Sequence, residues 1–218
     1  MSKLKTIQHK LLWVRLMLKE VKALFSSPVF ICEIKEDTEA LKKESTFLQN
    51  VTQSSGRKNE DLKVLKKYPR IKKLLLNEFK ENAKRVLNYT NDFDISTSWM
   101  TATQRGDVSQ SHCHKNSFYS GVYYYDEYEM ECGGELEITS PLYNYFDFSV
   151  IPREWNDLTG RSAKIAPNKK LLILFPSYLF HQIKMHQGNS IRRSLAFNIV
   201  PVGEYGSADS SYNTSWFK

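Results

Sequence analysis

The sequence has little of what would commit it to export or to a membrane. It holds three cysteines in 218 residues, Cys32, Cys113 and Cys132. An odd number with no C-x-x-C pair excludes a disulfide framework and a redox dithiol, and a reduced, cytoplasmic setting is the expectation. No uninterrupted apolar run approaches the ~20 residues that a membrane helix needs. Internal repeats and low-complexity segments are also missing, which sets repeat architectures aside. The first 23 residues contain no acid before Glu20. They are basic and amphipathic, but without a clean apolar stretch or small-residue cleavage site they do not read as a secretory signal. The expectation there is a helical extension packing one face on the domain, with a surface-binding helix as the alternative.

What is present is ordinary for a folded domain: 41% hydrophobic and 25% charged residues, in a chain long enough to bury one substantial core. The net charge of +7 is uneven. Residues 1–90 carry 20 Lys/Arg against 10 Asp/Glu, and residues 91–218 carry 11 against 14. A basic first half is able to attract nucleic acid or another anionic partner. Lys-rich helical faces more often serve solubility alone.

Phe30–Glu33, after Pro28, reads as a short strand, and residues 38–60 as a helix followed by a loop at Ser54–Gly56. A stronger helix starts at Pro69, since proline suits a first helical position. Its apolar stripe is Ile71, Leu75, Phe79, Ala83 and Val86. From residue 93 the pattern changes to short β-rich runs at 95–103, 118–125, 135–139, 171–175 and 194–200. Turn residues separate them, which indicates a β-sandwich or barrel. The polar tail from Gly206 is expected to be loosely ordered.

Five histidines occur, and three of them stand out. In an extended Ser111–His114 segment, side chains alternate, so His112 and His114 share one face and Cys113 points away. That alternation argues against a zinc site using Cys113. His181 follows an apolar strand stopped by Pro176. Eleven residues later Arg192 and Ser194 open another strand. If these two strands are adjacent, Arg192 shares a cavity with His181. A buried guanidinium needs an anionic partner, and a dicarboxylate supplies one by a bidentate contact, with Ser194 facing the same way. An HxH pair alone, or an arginine alone, is more simply a hydrogen-bonded surface pair or a salt bridge. His9 reads as solvated, and His186 as a plain loop histidine.

Taken together and in order, HCHKNSFYSGVYYYD, GGELEI, LLILFPSYLFH and IRRSLAFN resemble the 2-oxoglutarate/iron(II) oxygenase superfamily, with Trp99 and LFSSPVF fitting the same pattern. The resemblance spans residues 24–200. It implies a mainly β fold with flanking helices, a double-stranded β-helix of the jelly-roll, cupin-like kind. It divides the chain into the extension at 1–23 and one oxygenase domain at 24–218, with helical support at 38–90 and a jelly-roll core at 93–200. It implies iron(II) and the cosubstrate 2-oxoglutarate, with oxygen as oxidant and ascorbate as a further candidate. His112 would match the first metal ligand and His181 the distal one. Arg192 and Ser194 would hold the distal carboxylate of 2-oxoglutarate, joined by Tyr124.

The sequence departs from that pattern at one position: His114 stands where the superfamily carries an acidic ligand. A neutral imidazole also ligates iron(II), so a three-histidine site is one reading. Iron held by His112 and His181 alone is another, and a carboxylate brought in from Asp107 or Glu135 a third. The prime substrate is open among protein, nucleic acid and metabolite. Two rivals stand beside the oxygenase: a cupin-like metal enzyme that does not use 2-oxoglutarate, and a non-catalytic jelly-roll structural or binding protein.

Overall fold

The structure is a computed structural model. It describes residues 26–44, 49–50, 57–58, 61–129, 131–142, 151–156 and 158–214. The 1–23 extension, with His9, and the Ser54–Gly56 loop lie outside the described residues. So do Leu24 and Phe25, which begin the LFSSPVF stretch.

The elements run β1 (Phe30–Glu33), α1 (Leu41–Glu44), β2 (Gln49–Asn50), β3 (Arg57–Lys58), α2 (Pro69–Glu78), β4 (Asp92–Thr103), β5 (Tyr119–Tyr123), β6 (Leu136–Thr139), β7 (Ser162–Ile165), β8 (Leu171–Pro176), β9 (His181–Ile183), β10 (Arg192–Val202), β11 (Glu204–Tyr205) and β12 (Tyr212–Asn213). Seven strands form a major sheet in the order β1-β8-β5-β10-β4-β3-β2, and three form a minor sheet in the order β7-β6-β9. Beside β9, residues 106–112 run antiparallel as an irregular further strand. His112 and His181 exchange backbone hydrogen bonds at 3.0 and 2.8 Å, and Ser109 N–H donates to the Ile183 carbonyl at 3.1 Å. Two facing sheets of this kind make the double-stranded β-helix.

Alternation along each strand of the major sheet divides its residues between two cores. Tyr119, Tyr123, Leu172, Leu174, Leu195 and Phe197 face α2 and meet Ile71, Leu75 and Phe79. Val122, Ile173 and Phe175 face the minor sheet and meet Leu136 and Ile138. In β4 the alternation breaks. Its pairing with β10 shifts between Asn198 and Ile199, leaving Ser96 unpaired. The extra residue puts Phe93 and Ile95 on the same side as Met100 in the helix-facing core, as a bulge does.

One glycine is required by packing. A Cβ at Gly121 would lie 2.2 Å from Cζ of Phe197, its partner across the β5–β10 ladder. Phe197 is fully buried and cannot withdraw. Gly121→Ala is expected to lower stability by about 1–3 kcal/mol, read as a fall in Tm. Adding Phe197→Leu should recover part of the loss, and an unchanged Tm for Gly121→Ala would refute the contact.

Several expectations need correction. The helix from Pro69 forms, but its stripe does not reach Val86, which is 60% exposed. Residues 79–84 form a wider π-type turn, which rotates later positions so that Leu87 packs on the core instead. Within 38–60 the only described helix is α1, and β2 pairs with β3. The tail, expected to be loosely ordered, pairs β11 with β12. The strands carrying Leu171–Pro176 and Arg192–Val202 are not adjacent, because β5 lies between them. His181 meets Arg192 by another route: it stands on β9 of the minor sheet and faces the major sheet across the gap. No helix of the described residues is long and apolar enough to cross a membrane. The three cysteines are unpaired. Lys67, Lys72 and Lys84 in the basic half face Asp61, Asp94 and Asp92 at 3.2, 2.7 and 3.6 Å.

Candidate metal centre and cosubstrate pocket

The two sheets leave between them a cavity of about 450 Å³, within the ordinary range for a small-molecule site. Its walls include Trp99, Thr101, His112, His114, His181, Arg192 and Ser194. The imidazoles converge. Their ligand nitrogens lie within 4.8 Å of one another, and among the described residues they are the one such group of His, Cys, Asp or Glu. Ring centroids are 4.4 Å apart for His112–His181, 5.0 Å for His114–His181 and 5.2 Å for His112–His114. Cys113, Asp107 and Glu135 stand outside the group. The Asp107 carboxylate accepts instead from the Gln104 N–H at 2.8 Å.

Each ring is held through Nδ1. His112 Nδ1 lies 2.8 Å from the Gln110 carbonyl and His181 Nδ1 3.0 Å from the Leu179 carbonyl. A carbonyl only accepts, so these Nδ1 atoms carry protons and each Nε2 keeps its lone pair. His114 Nδ1 meets Asn198 Oδ1 at 2.7 Å and Ser120 Oγ at 2.9 Å. Burial pushes the His181 pKa down to about 3, with further lowering from the neighbouring His112 and His114. Burial also holds His114 below the usual histidine value. Both rings are therefore neutral and available to a metal at neutral pH. A set of neutral imidazole nitrogens suits iron(II) and other divalent transition metals.

At the inner end of the cavity sits Arg192, 1% exposed. Its Nη2 donates to the Tyr124 hydroxyl at 2.8 Å and its Nη1 to Ser194 Oγ at 3.4 Å. Its Cζ lies 4.8 Å from the Tyr124 ring centroid. Nε–H has no acceptor. Among the described residues no carboxylate forms an ion pair with it. Arg193, one residue on, turns the other way and pairs with Asp126 at 2.8 Å. A buried, uncompensated guanidinium is costly, and an anion entering the cavity would neutralise it.

Of the six side chains singled out from the sequence, His112, His114, His181, Arg192 and Ser194 line one cavity and Tyr124 touches Arg192 behind it, while the side chains that support them were missed. Asn198 and Ser120 share the inward parity of Arg192 and Ser194 on paired strands, a signal that was available in IRRSLAFN and FYSGVY. Thr101, whose hydroxyl is 2.7 Å from Ser194 Oγ, carried no such signal, because its place depends on the β4–β10 register. The segment from His112 to His114 is bridged only at His112 rather than forming a strand. His186 is not a plain loop histidine but fully buried, donating from Nε2 to the Ser190 carbonyl at 2.6 Å.

Fold and site together define a double-stranded β-helix with a cluster of three histidines between its sheets. Residues 97–198 match the model of the family described as "Putative 2OG-Fe(II) oxygenase". Solved structures similar to it share the fold. A prolyl-4-hydroxylase from Pseudomonas putida is 14% identical, with 80% of this chain and 94% of that chain covered at a TM-score of 0.52. HygX from Streptomyces hygroscopicus, solved with nickel, 2-oxoglutarate and hygromycin B, is 10% identical over 80% and 83% of the chains at 0.55. The epimerase SnoN from nogalamycin biosynthesis is 7% identical over 82% and 80% at 0.60. No curated protein matches the sequence.

Proposed function

We propose that this protein is an iron(II)- and 2-oxoglutarate-dependent dioxygenase that hydroxylates its prime substrate, with His112, His114 and His181 as the metal ligands. Arg192, with Ser194 and Tyr124, binds the distal carboxylate of 2-oxoglutarate. The observation that carries this reading is the buried Arg192 without a carboxylate partner among the described residues, in the same cavity as three converging imidazoles. When bound, the metal would let dioxygen oxidise 2-oxoglutarate and substrate together, one oxygen atom entering succinate as carbon dioxide leaves and the other entering the substrate as a hydroxyl group.

The protein's own part is positioning and exclusion of water. The Nδ1 hydrogen bonds fix the three rings so that their Nε2 atoms face one another. Arg192 supplies a charged fork at the far end, and the Tyr124 ring beneath it limits its rotation. Val122, Leu136 and Phe175 line the wall between these ends and keep it apolar. His112 is exposed while His181 is buried, so the mouth lies on the His112 side, where a prime substrate would approach. The rival metal enzyme without 2-oxoglutarate has no need of a buried arginine opposite the triad.

The test is anaerobic addition of iron(II) and then 2-oxoglutarate, watched for a visible metal-to-ligand charge-transfer band, followed by oxygen and assay of succinate. A band that needs both components is the expected result. Stoichiometric iron without any response to 2-oxoglutarate would favour the cupin-like alternative, and no specific metal binding would favour a binding protein. His114→Asp should still bind iron, because it restores the ligand type usual at this position, whereas His114→Ala should bind it more weakly. Full iron affinity in His114→Ala would reduce the site to two histidines.

A further inference from the structure

The pocket-facing side of the major sheet carries three short polar side chains where its neighbours are Val122, Ala196 and Phe175. They are Ser120 on β5, Ser177 just past β8 and Asn198 on β10. Ser120 is 1% exposed and Ser177 is fully buried. Polar groups in such a place are tolerated only when hydrogen-bonded. Ser120 Oγ is 2.8 Å from Ser177 Oγ and donates to Asn198 Oδ1 at 3.0 Å. The Asn198 amide nitrogen donates to Thr97 Oγ1 at 2.9 Å, which turns Oδ1 inward.

The network ends on His114. Asn198 Oδ1 lies 2.7 Å from His114 Nδ1 and Ser120 Oγ 2.9 Å from it. The backbone of the same segment is gripped as well, since His114 N–H donates to the Ser177 carbonyl at 3.0 Å. An amide oxygen only accepts, so His114 Nδ1 carries the proton and Nε2 the lone pair. His112 and His181 reach that tautomer through carbonyls two residues away in sequence. For His114 the acceptor comes from 84 residues away, delivered across the β5–β10 pairing that sets Asn198 opposite Ser120.

We propose that Asn198, backed by Ser120 and Ser177, is the positioning residue that locks His114 in the Nδ1–H tautomer, aims Nε2 into the triad and so makes a third histidine serve as a ligand. The proposal rests on the reading of the triad as the metal site. It accounts for the three buried polar side chains together. It also explains why an imidazole is able to stand where the superfamily has an acidic side chain: the sheet beneath it supplies the hydrogen-bond acceptor that an imidazole needs and a carboxylate ligand would not.

Two measurements on the full-length chain test it. Long-range proton–nitrogen NMR of the histidine-labelled, metal-free protein reads the tautomer directly. His114 should be Nδ1–H in the parent chain, should lose that preference in Asn198→Ala, and should keep it in the near-isosteric Asn198→Asp, which retains the acceptor. Cobalt(II) titration reads the consequence. Asn198→Ala should weaken binding by about 10–100-fold, the usual effect of removing a partner behind a metal-bound histidine, and Asn198→Asp should restore it. In a His114→Ala background, Asn198→Ala should change cobalt affinity by less than about twofold, because the two act as one unit. An equal loss in both backgrounds would make Asn198 merely structural and overturn the proposal. So would an unchanged tautomer and affinity in Asn198→Ala, which leaves the triad standing if His114→Ala alone binds weakly. If His114→Ala binds cobalt as tightly as the parent, the triad itself fails and the proposal with it.

Discussion

Arg192→Ala is expected to raise the 2-oxoglutarate concentration needed for half-maximal turnover by roughly two orders of magnitude, about 2.8 kcal/mol at 1.4 kcal/mol per tenfold. The size follows from the surroundings. The guanidinium is 1% exposed, so its contact with a carboxylate would be sheltered from water, and deleting one partner leaves the other charge without compensation. Iron affinity in the absence of 2-oxoglutarate should barely change, since Arg192 lies outside the ligand group. Arg193→Ala is the control, because Arg193 leaves the cavity to pair with Asp126. It should keep near-parental dependence on 2-oxoglutarate. An unaltered requirement in Arg192→Ala, measured from succinate formation across a cosubstrate titration, would remove the carboxylate site from this cavity.

His181→Ala is expected to lose tight iron binding, read as metal content after gel filtration. This ring is the most buried of the three. It packs edge-on against Phe175 with centroids 4.8 Å apart, and burial keeps its nitrogen unprotonated far below neutral pH. It therefore presents a lone pair under all ordinary conditions, at no cost in proton release. Its backbone joins β9 to the His112 segment, but that link uses N–H and C=O groups that alanine retains. Loss of metal with an intact circular-dichroism spectrum is the predicted outcome. Full stoichiometry and affinity in the variant would mean that the metal lies elsewhere.

The candidate site was unusually legible because its parts lie in short runs with strong local rules. Parity along IRRSLAFN already places Arg192, Ser194 and Asn198 on one face and Arg193 on the other. The alternation in SHCHK survives even though the segment is not a regular strand. The strands that flank these runs were legible for the same reason: their β-branched and aromatic residues sit between glycines and prolines. Of the supporting shell, only the inward parity of Ser120 and Asn198 was legible; their joining with Ser177 behind His114 was not, because those contacts cross between distant strands. So too with His186, whose sequence context is a polar loop and whose place is fully buried.

What the sequence determined by itself was therefore local: which residues face together within a strand, where the helix at Pro69 begins, and which histidines and arginine are candidates for a site. Tertiary structure decided the rest. It set β5 between β8 and β10, and so brought His181 to Arg192 from the opposite sheet rather than from an adjacent strand. It placed the bulge at Ser96 that carries Phe93 and Ile95 into the helix-facing core. It also delivered the acceptor for His114 from β10. The physical reason is the reach of the forces involved. Side-chain alternation and capping act within a few residues of chain. Register between distant strands is chosen by whole faces packing at once, and a shift of one residue would turn every side chain of a strand to the wrong side.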